Sequence, residues 1–331
     1  MARVLVIGGA GFVGAHVVEC LAERGHSPVV YDNARRLSLH EGVHPVEGGG
    51  LDDAAVLLDV LERHGIEAAI CCIPAAEGAS RYSAAEIRNR AAARAMTVMS
   101  AILKAGVTKL VFGSTAHVYG APGYVPVDES HPLSPATAAA NAKLAGEKII
   151  QTLAEAYPLD YGILRYYAVA GADEDLYPVW SARQAPCVIS RVLRQAAGLS
   201  AGPLELRTGY DTADGTLVRD IIHVRDLAAA HVEAADVLLN GAPSLVCNLG
   251  SPSGYSLREV ISTVEQVTAR PVPVLETKGA DDKPPILTLD TRLAGERLGY
   301  VPKRTGLDRI VEETARLCSA HWSVDLMSRA V

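Results

Sequence analysis

The chain has no surplus of positive charge. Its 31 Lys and Arg stand against 38 Asp and Glu, a formal charge of −7. That excludes the basic footprint of a nucleic-acid binder and leaves any anionic ligand to be held by local groups, not by the global field. The six cysteines, at 20, 71, 72, 187, 247 and 318, form no Cys-x-x-Cys pair and show no metal-ligand spacing. A reducing cytoplasm with buried free thiols and no metal centre is therefore expected. No signal-peptide shape precedes the first apolar strand, and the longest apolar run, near residues 68–76, is far too short to span a bilayer. There is no internal repeat and no low-complexity tract apart from alanine-rich helix faces. What is present is apolar mass: 49% of 331 residues, enough for one large or two modest domains.

Short β-branched runs alternate with helical segments through the first half. Strands are expected over 4–7, 28–31, 68–73, 110–112 and 161–166, and helices over 14–24, 54–64, 83–105 and 138–156. This alternation predicts an α/β fold with a parallel sheet covered by helices on both faces. After Gly171 the pattern loosens: helices over 188–198 and 257–268 and a short strand over 204–207 suit a smaller lobe. The expected division is a dinucleotide-binding domain over 1–172, completed by 217–250, with a smaller α/β substrate lobe from 173–216 and 251–331.

Gly8-Gly9-Ala10-Gly11-Phe12-Val13-Gly14 follows the first strand and opens the first helix. Glycines at 8, 11 and 14 let backbone N–H groups approach a pyrophosphate at the positive end of a helix. Strand two then ends in Asp32, where a carboxylate can bind the adenosine ribose hydroxyls. That carboxylate would repel a 2′-phosphate, so NAD is expected over NADP. Arg35 and Arg36 are a small counter-signal, or a solvated turn. The competing reading of the glycines is a turn that serves packing only.

Several further segments carry a family resemblance. The segment 111–120, Val-Phe-Gly-Ser-Thr-Ala-His-Val-Tyr-Gly, is similar to a strand end that bears a catalytic Ser or Thr, here Thr115. Residues 163–172, Ile-Leu-Arg-Tyr-Tyr-Ala-Val-Ala-Gly-Ala, resemble a Leu-Arg-Tyr-Phe-Asn-x-x-Gly-Ala block. Residues 214–227 resemble a block that brings an arginine, here Arg219, to a nucleotide diphosphate, and 248–250 with 254–256 continue the match. Together these resemble the extended short-chain dehydrogenases, in their nucleotide-sugar epimerase and dehydratase branch. The resemblance implies a doubly wound sheet of the Rossmann type, bound NAD, a nucleotide-linked substrate, and a homodimer built on the helices over 83–105 and 138–156. It places Gly8, Gly11, Phe12, Val13, Gly14, Asp32, Asn33, Leu51, Lys143 and Tyr166 at the cofactor. It places Gln184, Arg207, Arg219 and Lys278 at the substrate, although Lys278 reads equally as an exposed loop lysine and Arg219 as half of an ion pair with Asp220 or Asp226.

The departures from that family cluster. Its catalytic helix carries Tyr-x-x-x-Lys, in which residues four apart share a helical face and the ammonium lowers the pKa of the phenol. Here the lysine is Lys143 and the tyrosine is Ala139. Ala168 replaces an asparagine, Ala76 a lysine, Arg90 an asparagine and Gly50 an aspartate, which predicts a roomier and drier pocket. His117 stands two residues after Thr115, an offset at which related dehydratases and decarboxylases carry a glutamate acid/base. An imidazole there can titrate near neutrality and move protons; the plainer alternative is a histidine hydrogen-bonded in a half-buried loop. Lys143, if near it, would hold it neutral and basic. Tyr119 and Tyr82 are expected in the core or at the rim, not as replacement phenols.

Three functions remain open on sequence alone. One is an NAD-dependent enzyme on a nucleotide-activated sugar, with Thr115, His117 and Lys143 as its catalytic groups and ordinary 4-epimerase activity in doubt. The second is a non-redox lyase or cyclase on the same scaffold, and the third is a catalytically silent binding protein.

Overall fold

Alternate residues of the first strand go to opposite faces, and the packing follows that period. In the computed structural model, which describes residues 1–33, 43–74, 82–173, 187–251, 253–279 and 283–327, strand β1 spans Arg3–Ile7. Val4 and Val6 enter one core cluster, and Leu5 and Ile7 enter another. The chain continues through α1 (Phe12–Glu23), β2 (Ser27–Asp32), β3 (Val46–Gly48), α2 (Ala54–Arg63), β4 (Ala68–Cys71), α3 (Ala84–Lys104), β5 (Lys109–Gly113), α4 (Ala138–Ala156) and β6 (Asp160–Arg165). There follow β7 (Ala168–Ala170), α5 (Val188–Ala196), β8 (Leu204–Thr208), β9 (Val218–Arg219), β10 (Ile221–His223), α6 (Val224–Leu239) and β11 (Leu245–Asn248). The remaining elements are β12 (Tyr255–Ser256), α7 (Leu257–Thr268), β13 (Val274–Lys278), β14 (Ile286–Leu287), α8 (Arg292–Leu298) and α9 (Leu307–Trp322).

Seven strands form one sheet in the order β11-β6-β5-β4-β1-β2-β3, and every pairing in it is parallel. Helix α1 supplies Val17, Val18 and Leu21 to one face, joined by Leu227, Val232 and Leu238 of α6. The other face takes Leu57, Val60 and Leu61 of α2, Val98, Met99 and Ile102 of α3, and Ile150 of α4. Each such side chain contributes roughly 1.5–3 kcal/mol by leaving water. The fold is thus the expected α/β, Rossmann-type doubly wound parallel sheet. A separate cluster joins Ile189, Val192 and Leu193 of α5, Val260, Ile261 and Val264 of α7, and Ile310 and Val311 of α9. The small pairs β7–β10 and β8–β13 and the trio β12-β9-β14 lie outside the main sheet.

Helix starts follow their caps. Ser83 and Glu86 close a capping box on α3, and Ser256 with Glu259 does the same on α7. The strand expected over 68–73 stops at Cys71, and the helix expected from 14 begins at Phe12, directly after the glycine turn. The chain builds β1, β2 and β3 outward in one direction, then returns to lay β4 on the other side of β1. The carboxyl ends of β1 and β4 therefore flank a topological switch point, the place where open α/β sheets receive ligands. No helix among the described residues is long and apolar enough to cross a membrane.

Candidate active site

The switch point opens into a cavity of about 460 Å³. Its floor is the glycine turn. Gly8 has φ +81°, and a Cβ there would stand 2.9 Å from the Cys72 carbonyl oxygen. A Cβ on Gly14 would collide with the Gly8 carbonyl, so Gly14 serves the packing of helix on turn and does not itself line the cavity. The first turn of α1 is capped by no side chain and holds no acidic residue, so the positive end of the helix faces the cavity.

Asp32 ends β2 at one side of this floor. Its Oδ2 accepts from the Ala10 N–H at 3.0 Å and its Oδ1 from the Asn33 N–H at 2.7 Å. Those bonds fix the carboxylate against the turn. A carboxylate has lone pairs beyond the two used here, which can take ribose hydroxyls. Tyr31 donates to the Gly50 carbonyl at 3.0 Å, which draws the segment around Gly50 and Leu51 against the same wall. Gly8, Gly11, Phe12, Val13, Asp32, Asn33, Leu51, Lys143 and Tyr166 all line this one cavity. These residues fit a bound dinucleotide: an uncapped helix start over a side-chain-free turn for the pyrophosphate, and an oriented carboxylate for the ribose.

At the other end stand Ser114, Thr115, His117, Thr137, Ala139, Lys143, Tyr166 and Tyr167. Beyond β5 the chain enters a single 3₁₀ turn, Ala116–Tyr119. Thr115 caps it: its Oγ1 accepts from the His117 N–H at 3.3 Å and donates weakly to the Tyr166 carbonyl at 3.4 Å. His117 thus reaches the cavity from a turn and not from the expected strand end. Its ring meets Tyr167 edge-on, centroids 5.1 Å apart at 73°. The imidazole is open to the cavity yet set among protein atoms, and that desolvation pushes its pKa down, with the Arg219 guanidinium adding to the effect. The neighbouring cation is Arg219, not the expected Lys143.

Lys143 and Ala139 sit one turn apart on α4, both facing the cavity. The family phenol would rise from the position of the Ala139 methyl. The Lys143 Nζ donates to the Ile73 carbonyl at 2.7 Å and to the Gly113 carbonyl, and lies 4.8 Å from the centre of the Phe112 ring. Carbonyl dipoles and a ring face hold this amine, and burial lowers its pKa to about 8. An ammonium has three donors, so one remains for a cofactor hydroxyl.

Beneath the Thr115 and His117 end lies a buried polar network. Arg165 pairs with Glu147 and donates to the Tyr119 hydroxyl at 3.0 Å, which in turn donates to Asn248 Oδ1 at 2.7 Å. Ser114 donates to Glu147. Tyr119 is therefore a structural phenol, and burial pushes its pKa up to about 12. Tyr82 stands at the rim, 36% exposed.

The substrate residues expected from sequence are not gathered here. Arg207 on β8 is exposed and pairs with Glu205 at 3.0 Å, and Lys278 is exposed at the end of the neighbouring β13. Neither lines the cavity. Arg219 donates to the Val218 and Pro285 carbonyls at 2.7 and 3.2 Å and reaches the site through its charge. Asp220 instead accepts from the N–H groups of Ser251 and Leu289, and Asp226 from those of Lys303 and Arg304. Gln184, Ala76, Arg35 and Arg36 lie outside the described residues.

The residues behind the expected roomier, drier pocket are placed in different parts of the structure. Ala139 and Gly50 do line the cavity, but Ala168 does not, and Arg90 stacks 4.7 Å over Tyr82 elsewhere. Asp52, paired with Arg94 of α3 at 3.2 Å, together with Thr137 and Tyr167, adds polar groups that the sequence patterns did not single out. They arrive by long-range packing. Only Tyr167, in the block over 163–172, carried a local signal.

Comparison with known proteins places this geometry. The model of the NAD dependent epimerase/dehydratase family matches residues 4–250. The chain is 37% identical over 321 residues to the UDP-glucose 4-epimerase of Azospirillum brasilense, covering 93% of this chain and 90% of that one. It superposes with a TM-score of 0.90 and 33% identity on the UDP-glucose 4-epimerase of Brucella ovis in complex with NAD, over 96% and 98% of the two chains. A TM-score of 0.87 at 27% identity relates it to the Stenotrophomonas maltophila UDP-glucose-4-epimerase with bound NAD and formylated UDP-arabinopyranose, over 98% and 99%. These relatives lend no support to the doubt about 4-epimerase chemistry that Ala139 raised.

Proposed function

The chain belongs to the NAD-dependent epimerase/dehydratase family, and from that premise we propose that it epimerises a carbinol centre of a UDP-linked sugar, with Thr115 and His117 in place of the missing phenol. One observation carries this reading: a single cavity joins the glycine turn and Asp32 at one end to Thr115, His117 and Lys143 at the other.

NAD is the cofactor, and when bound it supplies a hydride acceptor and donor. The start of α1 would hold its pyrophosphate, Asp32 the adenosine ribose, Lys143 the nicotinamide ribose and Tyr166 the nicotinamide. His117, kept neutral by burial and by Arg219, takes the proton of the substrate hydroxyl as hydride leaves the same carbon. Thr115 hydrogen-bonds that oxygen. His117 gives the same proton back to that oxygen when the inverted hydroxyl re-forms, so the configuration changes with no net oxidation of the sugar. The division of the chain into 1–172 with 217–250 and 173–216 with 251–331 frames the site, with Arg219, from the returning segment 217–250, steering the diphosphate. Two copies pair through α3 and α4.

Ala139 alone favours the second reading, a silent or non-redox protein, because losing a general base costs roughly 10²–10⁴ in rate. The test is incubation of the purified protein with UDP-hexoses, UDP-N-acetylhexosamines and UDP-pentoses, with products separated chromatographically. Inversion of one sugar supports the proposal. NAD binding with no conversion of any of them would favour the silent reading.

A further inference from the structure

Two departures from the family pattern touch each other in this cavity. His117 is one. The other is Tyr167, which stands where the Leu-Arg-Tyr-Phe-Asn block has phenylalanine. The rings meet edge-on at 5.1 Å, both line the cavity, and Ala139 faces the same space. The chain has lost a phenol on one wall and gained one on another.

The hydroxyl of Tyr167 is unusual among its neighbours. Tyr31 donates to Gly50, Tyr119 to Asn248 and Tyr300 to Gly250. The Tyr167 hydroxyl is buried and has no hydrogen-bond partner among the described residues. An unpaired buried hydroxyl is destabilising, a cost that phenylalanine at this position would avoid. Arg219, Tyr119 and Asp220 are the groups whose charge or dipole acts on it. Tyr167 and His117 thus share one wall of the cavity and one neighbouring cation, Arg219, the wall along which a sugar would lie if its diphosphate is drawn by Arg219 and its reacting carbon faces His117.

We propose that Tyr167 is a substrate residue whose hydroxyl donates a hydrogen bond to a sugar oxygen of the bound nucleotide sugar, beside the group that His117 serves. This rests on the function proposed above for the identity of the substrate. Burial keeps the phenol protonated across the working range, so it acts as a donor and holds its proton throughout. Its ring also fixes the His117 imidazole, a contact that phenylalanine would preserve, so the substitution isolates the hydroxyl.

Tyr167→Phe tests this by calorimetry with three probes: UDP-glucose, UDP and NAD⁺. The expected result is UDP-glucose bound about tenfold more weakly, the scale of one lost hydrogen bond to a ligand, with UDP and NAD⁺ affinities unchanged and the thermal midpoint equal to or above that of the parent. Equal weakening of UDP would move the contact to the nucleotide and overturn the assignment. Unchanged affinity for all three would make Tyr167 a packing residue and overturn it too. Binding decides the matter without turnover. A protein that converts no UDP-sugar, yet shows the selective loss, refutes the functional reading and leaves Tyr167 a sugar contact.

Discussion

Arg165 grips Glu147 through two nitrogens, Nη2 to Oε2 at 2.6 Å and Nε to Oε1 at 3.2 Å, with both side chains almost wholly buried. The pair ties β6 to α4 directly below the residues proposed for catalysis. Glu147 also accepts from Ser114, the residue before Thr115. The turn that carries Thr115 and His117 is thus seated on a charge pair that is almost wholly buried.

Removing one member leaves the other charge buried and unpaired, which costs about 3–5 kcal/mol. Arg165→Met should lower the unfolding free energy by that amount in urea titration. Glu147→Gln, which keeps an acceptor for Ser114, should cost less. A loss below about 1 kcal/mol in Arg165→Met would mean that the site relaxes around the vacant charge.

NAD⁺ should bind more tightly than NADP⁺, because the Asp32 carboxylate would repel a 2′-phosphate on an adenosine ribose bound beside it. Asp32→Ala should weaken NAD⁺ by about tenfold and narrow the preference. Part of the loss would come from freeing the Ala10 N–H that Asp32 now holds, a charge-assisted hydrogen bond of about 1.5–3 kcal/mol. Calorimetry with both dinucleotides measures this, and equal affinity in the parent protein would count against the carboxylate argument.

Much of this fold was legible in the sequence because one period governed it. Val4 and Val6 against Leu5 and Ile7 already divide the core between two faces, and the glycine turn fixes where the first helix begins. Short or locally ambiguous elements were not legible. The three residues of β3 lack a pattern length, and the first turn of α6 lay inside a motif read for its arginine, which masked the start of the helix. At the site, Asp32 and Lys143 line one cavity, and each belongs to a local motif. Arg207 and Lys278 stand exposed on a parallel pair of strands outside it, a placement no local motif conveys. The Asp52–Arg94 pair depends on how α3 packs beside the turn after β3, a relation no local window contains.

The protein should be a homodimer through α3 and α4. These helices pack on each other and are rich in alanine, and small residues allow a close approach between copies. Met96 on α3 is 49% exposed. Light scattering should give twice the mass of 34.9 kDa at micromolar concentration. Met96→Asp should shift it toward monomer by placing apposed like charges in the seam. A monomeric parent would remove the helices from consideration as an interface.

His117 sets the sharpest test, because its environment dictates the sign of a pH effect. Desolvation by the surrounding protein and the Arg219 charge both disfavour the imidazolium, so its pKa lies below the ordinary histidine value. A base works in its deprotonated form, so kcat/KM should rise with pH through that lowered value and level off before neutrality. On the alkaline side Lys143, at about 8, loses the charge that grips the nicotinamide ribose, so the rate should fall again near there. The result is a bell with its plateau around neutrality. Arg219→Gln removes the positive neighbour, so the acid limb should move to higher pH while the alkaline limb stays in place. His117→Gln keeps bulk and hydrogen bonding but cannot titrate. It should erase the acid limb and lower turnover at least about tenfold, with NAD⁺ affinity little changed. If the acid limb survives in His117→Gln at normal turnover, the proton is carried by another group and His117 is only the edge on which Tyr167 packs.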